Sequence, residues 1–127
     1  MLCVFARSTV DAQTTVGSVD VTIPGLGDVT GVYRQEQEPP VRINSVLGIP
    51  YAEAPVGERR FLPPVAIGPW TQRLNTSTVR SCLAFSGGNE DCLYLNIYVP
   101  GEFDSTRRLP VMILIPGFAF ASLPECV

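Results

Sequence analysis

Ser18 to Ile23 alternates Ser, Val, Asp, Val, Thr, Ile, the period-two pattern of a half-buried strand. Pro24–Gly25–Leu26–Gly27–Asp28 is a turn, and strand chemistry resumes from Val29 to Tyr33, so the pair predicts a β-hairpin. Arg34 to Pro40 is polar and ends in two prolines, which predicts a surface loop, and Val41 to Ile49 predicts a further strand. Between 50 and 70 prolines recur every few residues. Because proline removes a donor and fixes φ, this stretch predicts an ordered loop, with Phe61 and Trp70 packing it against the sheet. Leu93 to Val99 alternates apolar and aromatic residues around a single polar Asn96 and is stopped by Pro100–Gly101. Gly101 to Arg108 is a polar loop. Leu109 to Ile115 is apolar at every position, the signature of a strand in the middle of a sheet covered on both faces. Residues 1–14 show no period and read as a tail, leaving 15–127 as the folded part.

Composition narrows the function. The chain has 127 residues, 46% of them hydrophobic, enough for one small domain with a core. A net charge of −3 with nine basic residues provides no basic stripe, which argues against a nucleic-acid partner. Twelve prolines and eleven glycines favour short strands and turns over long helices. No apolar run approaches the length of a transmembrane helix. Leu2 to Ala6 is too short for the core of a secretion leader, so a secreted protein would have its first residues incomplete here.

The cysteines Cys3, Cys82, Cys92 and Cys126 allow three pairings, or four reduced thiols in a cytoplasmic chain. Cys82 and Cys92 flank the turn-rich Ser86–Gly87–Gly88–Asn89 and are the first pair to consider; Cys3 and Cys126 receive no role. Asn75–Thr76–Ser77 is an N-glycosylation sequon and points weakly to secretion.

Catalytic chemistry is thin. The chain contains no histidine, which removes a Ser–His pair and imidazole metal sites. All nine basic residues are arginines, too basic to accept a proton near neutrality. The nearest approach to a G-x-S-x-G elbow is Ala84–Phe85–Ser86–Gly87–Gly88. It leads into a strand instead of standing between a strand and a helix, so Ser86 is rejected as a nucleophile.

The stretch Glu90–Asp91–Cys92–Leu93–Tyr94–Leu95–Asn96–Ile97–Tyr98–Val99–Pro100 resembles the second signature of the type B carboxylesterases, the cholinesterase-like branch of the α/β-hydrolases. Gly48 to Gly57 resembles that family's GIPYAEPPVG, with Ala54 in place of a proline, and Arg60–Phe61–Leu62–Pro63–Pro64 and Trp70 follow its pattern. The resemblance covers roughly residues 16–122 and the first fifth of a family domain. It implies an α/β fold of which this is the N-terminal, mostly β portion. It also implies a Cys82–Cys92 disulfide, worth roughly 2–3 kcal/mol, and a partly buried Arg60–Glu90 ion pair that ties loop to strand.

The activity implied is hydrolysis of small-molecule carboxylic esters by a Ser–Glu/Asp–His triad, without metal or organic cofactor. None of the triad lies in this chain, which is expected to be an inert fragment by itself. Where relatives carry HGGGF, this chain has Pro116–Gly117–Phe118–Ala119–Phe120, and only Gly117 is carried over, as an oxyanion-hole remnant. The alternative of another class is a non-catalytic, cholinesterase-like adhesion module with a protein partner. A small independent β-domain is the blander one. The resemblance and the sequon favour a secreted or lumenal location; the alternative is cytoplasmic.

Overall fold

In the computed structural model, residues 15–37, 40–84, 87–104 and 106–115 are described. They form a five-stranded sheet in which β1 (Thr15–Ile23), β2 (Gly27–Gln37), β3 (Pro40–Pro50) and β5 (Tyr94–Pro100) are antiparallel neighbours in that order. The two-residue β4 (Leu74–Asn75) pairs with β2 in parallel. A short 3-10 turn at Gly57–Arg59 interrupts the proline-rich loop.

The first hairpin follows from its turn. Pro24 presets φ, Gly25 takes φ +78°, and Leu26 N–H closes on Ile23 O at 3.1 Å. From there Ile23 faces Gly27 and the register runs back to Thr15 opposite Gln35. Alternation then sends Val19, Val21 and Ile23 inward and Ser18, Asp20 and Thr22 outward.

The predicted loop over Arg34 to Pro40 is corrected. Residues through Gln37 belong to β2, β3 begins at Pro40, and Gln35–Arg42, Glu36–Val41 and Gln37–Pro40 stand opposite one another. A backbone ladder forms whatever the side chains are, so a polar stretch can join a strand. Pro40 is tolerated because it is the first residue of its strand.

β3 and β5 run opposite one another with a register shift between Val46 and Ile49. Gly48 takes φ +73° within that irregularity, and its N–H donates to Asn96 Oδ1 at 2.8 Å. The single polar residue of the Leu93–Val99 pattern is therefore the side chain that satisfies the backbone where the ladder skips.

The core is small. Val29, Val46 and Ile49 form it, with Val21, Ile23, Trp70 and Leu74 packed around them. Trp70 is held by two bonds, its N–H to Leu26 O at 2.8 Å and its indole N–H to Asp28 O at 2.9 Å. Phe61 does not share that role. It is 98% exposed and carries the positive φ of +63°, because the turn after Arg60 throws its ring into solvent. Residues 109–115 are likewise a correction. They are not in a strand, and Val111 to Ile115 are 78–93% exposed. Apolar content fits them for a sheet interior, but a strand exists only through neighbours, and none of the described residues pairs with them.

Candidate functional site

The residues singled out by chemistry gather at one corner, where the proline-rich loop meets the entrance to β5. The loop is ordered by its own backbone. Glu53 N–H bonds Val65 O at 2.8 Å, Ile67 N–H bonds Tyr51 O at 3.3 Å, and Tyr51 N–H bonds Leu93 O at 3.2 Å. With Ala52 opposite Ala66, these fold the segment back on itself and present the Gly57–Arg59 turn and Arg60 at its tip.

Facing it is the 82–92 loop. Cys82 and Cys92 are bonded, with S–S 2.14 Å and Cα–Cα 4.9 Å. The same closure is drawn by backbone bonds from Leu83 N–H to Asn89 O and from Asn89 N–H to Ser81 O, both 3.0 Å. A Cβ at Gly88 would run into the carbonyl of Cys82, so only glycine lets the loop turn this tightly.

Glu90, carried by that loop, meets Arg60 Nη2 at 2.9 Å. The pair forms as expected but is only half-buried, Arg60 being 53% and Glu90 37% exposed. Both charges keep much of their hydration, so the contact contributes under ~1 kcal/mol rather than the several of a buried pair. Nearby, Arg59 Nη2 pairs with Glu53 at 2.5 Å. Tyr94 O–H donates to Asp91 at 2.9 Å while Arg80 lies over its ring, 5.4 Å from the centroid. Partial burial, reinforced by the hydrogen bond to Asp91, raises the Tyr94 phenol above its ordinary range. It stays protonated and serves as a donor, not a base.

Chemically, this corner is a fastener. Glu53 and Glu90 are engaged by arginines and Asp91 by a phenol, while Glu58 stands exposed on the Gly57–Arg59 turn. Among the described residues no group of three His, Cys, Asp or Glu side chains could hold a metal ion. Ser86, Gly117, Cys3 and Cys126 lie outside the described residues. Asn75 stands apart from the corner, exposed on β4, with its Oδ1 accepting from Ser77 N–H at 3.2 Å.

Two contributors were not singled out by sequence reasoning. Asn44 is fully buried on β3, donating to Gly101 O and accepting from Arg42 Nε at 3.3 Å, so it ties β3 to the end of β5. Arg73 binds Asp20 at 2.5 Å and Asp28 at 3.5 Å, clamping β1 to β2. Nothing local marked either residue: Asn44 shares its strand with Arg42 and Ser45, and Arg73 lies in an exposed loop.

The family model described as the Carboxylesterase family matches residues 17–123. Human Carboxylesterase 5A is 39% identical over 99 residues, covering 64% of this chain and 17% of that protein. Acetylcholinesterase 1 of Caenorhabditis elegans is 41% identical over 93 residues, covering 59% and 15%. Among solved structures, a carboxylesterase of Geobacillus stearothermophilus aligns with a TM-score of 0.50 at 34% identity, over 62% of this chain and 16% of that one. The chain thus spans less than a fifth of the length of these relatives.

Proposed function

The chain belongs to the carboxylesterase family, and on that premise we propose that it is the N-terminal, mostly β portion of a carboxylic-ester hydrolase domain. In this reading residues 15–127 supply framework: the sheet, the Cys82–Cys92 closure and the Arg60–Glu90 contact hold the proline-rich loop against β5. The ester, a small molecule, is attacked by residues outside this stretch, and neither metal nor organic cofactor is called for.

The observation that carries the proposal is the family match over 17–123 in a chain with no histidine and no lysine. Acyl transfer by an activated serine needs a base that can take and return a proton near neutrality. Arginine cannot do so, and among the corner's described carboxylates Glu53, Glu90 and Asp91 are engaged in ion pairs or a hydrogen bond. The disulfide and the Asn75 sequon support placing the protein in the secretory pathway, where disulfides persist.

The test is an assay of the purified 1–127 chain on a short-chain nitrophenyl ester. The rate is expected to equal the blank, and turnover abolished by a serine-directed inhibitor would overturn the proposal.

A further inference from the structure

Two pairs of adjacent arginines occur in the chain, Arg59–Arg60 and Arg107–Arg108. By residue type they are equivalent; in space they are not. The first pair is pinned. Arg59 N–H bonds Val56 O at 3.0 Å, while Arg60 N–H bonds Gly57 O and Leu62 N–H bonds Arg59 O, both at 3.2 Å. Glu53 and Glu90 hold the two guanidiniums, and the next residue, Phe61, has the left-handed φ of +63°. The Arg60–Phe61 bond is thus enclosed in a hydrogen-bonded turn.

The second pair lies past the last anchor of the sheet. β5 ends at Pro100, and the chain just after it is tied down. Gly101 N–H bonds Arg42 O at 2.8 Å, Gly101 O accepts from Asn44, and Glu102 pairs with Arg42 at 3.0 Å. A small turn follows, in which the Asp104 carboxylate accepts from Thr106 and its carbonyl accepts Arg107 N–H at 3.2 Å. From Arg108 to Ile115 every residue is exposed, and none makes a hydrogen bond, ion pair or strand pairing among the described residues.

That difference decides what a protease can reach. An endoprotease takes its substrate as an extended strand, bonding the backbone and seating successive side chains, and it nicks exposed segments first. Acidic pockets for two consecutive basic side chains need both guanidiniums and the backbone around them at once. Arg107–Arg108 presents all of these. At Arg59–Arg60 two ion pairs and a turn must break beforehand.

We propose that the Arg108–Leu109 peptide bond is a processing site, cleaved in the folded chain by an endoprotease specific for paired basic residues. Water adds across the bond. The Arg108 carbonyl carbon gains the water oxygen and ends as a carboxylate, and the Leu109 nitrogen leaves with both water protons as a new amino terminus. The cut frees the exposed apolar segment that follows without removing a strand, because the anchoring contacts all lie at or before Arg107. None of this depends on the ester-hydrolase reading.

The experiment incubates the 1–127 chain, with Cys82–Cys92 oxidised, with a subtilisin-like endoprotease specific for paired basic residues and follows new termini by mass spectrometry. Synthetic peptides spanning 54–66 and 103–114 serve as unstructured references. Relative to its own peptide, the bond after Arg108 is expected to be cut at least about tenfold faster than the bond after Arg60. Arg108→Gln should abolish that cut, and the trimmed product should keep the urea midpoint of the whole chain. A folded chain left intact after Arg108, or cut as readily after Arg60, would overturn the proposal. A lowered midpoint in the trimmed product would do so too, since the released segment would then be part of the fold.

Discussion

Reduction of the Cys82–Cys92 bond is the perturbation whose size the structure allows to be worked out. The cysteines are 10 residues apart, and loop-closure entropy for that spacing is about 2.7 kcal/mol at 25 °C. In the folded chain the Leu83–Asn89 and Asn89–Ser81 hydrogen bonds already hold the two backbones together, so little of this is spent again on closing the loop. By linkage, the fold must favour the oxidised pair by the factor by which the bond favours the fold, about a hundredfold.

The assay equilibrates a Cys3→Ser/Cys126→Ser chain with glutathione buffers of graded ratio, in plain buffer and in concentrated urea, and counts free thiols. The oxidation constant is expected to be about a hundredfold larger in buffer. Equal constants in the two solvents would refute the reasoning, for they would mean that the fold does not preorganise the 82–92 loop. Glu90→Gln provides a control. Its ion pair is half-exposed, so the variant is expected to lose under ~1 kcal/mol and leave the ratio within a few-fold.

Two other outcomes are expected. A Cβ at Gly31 would collide with the carbonyl of Ser45 and approach Val46 Cγ2 to 3.1 Å, so Gly31→Ala should lower stability by roughly 1–3 kcal/mol; an unchanged urea midpoint would contradict the β2–β3 register. The hydrogen bond from Thr22, followed by Arg73, holds the Asp28 carboxyl below its ordinary value. A lowered folded-state pKa contributes stability that is present above the unfolded value and lost as pH falls through the folded one. Thr22→Val should therefore raise the Asp28 pKa in an NMR titration and move the acid limb of unfolding to higher pH, and an unmoved titration would assign the shift elsewhere.

Much of the sheet was legible because it is local. The period-two runs at 18–23 and 29–33 and the Pro24–Gly25 turn between them need only neighbours in sequence to be recognised, and the prolines of 50–70 exclude helix and central strand by themselves. Polar stretches mislead: the side chains of Arg34 to Gln37 suggest a loop, whereas strand membership is settled by backbone pairing. The fully apolar 109–115 misleads in the opposite sense, since its composition states what environment suits it and not whether the described part of the chain provides one.

At the candidate site, residue identities were readable and their physical setting was not. The pairing of Cys82 with Cys92 and of Arg60 with Glu90 rested on residues recognised as a pattern, yet the exposure of that ion pair, and so its modest worth, depends on what surrounds it in space. The amino-acid sequence by itself determined the hairpin, the proline-stiffened loop and the lack of any imidazole or amine base, because each depends on residue type and near neighbours alone. Tertiary structure alone decided that Asn44 is buried and Phe61 is not, that Asn96 serves the backbone of Gly48, and that Thr76 turns inward so that Asn75 turns out. Those outcomes depend on which strands meet and in what register, a property of contacts between residues far apart in the chain.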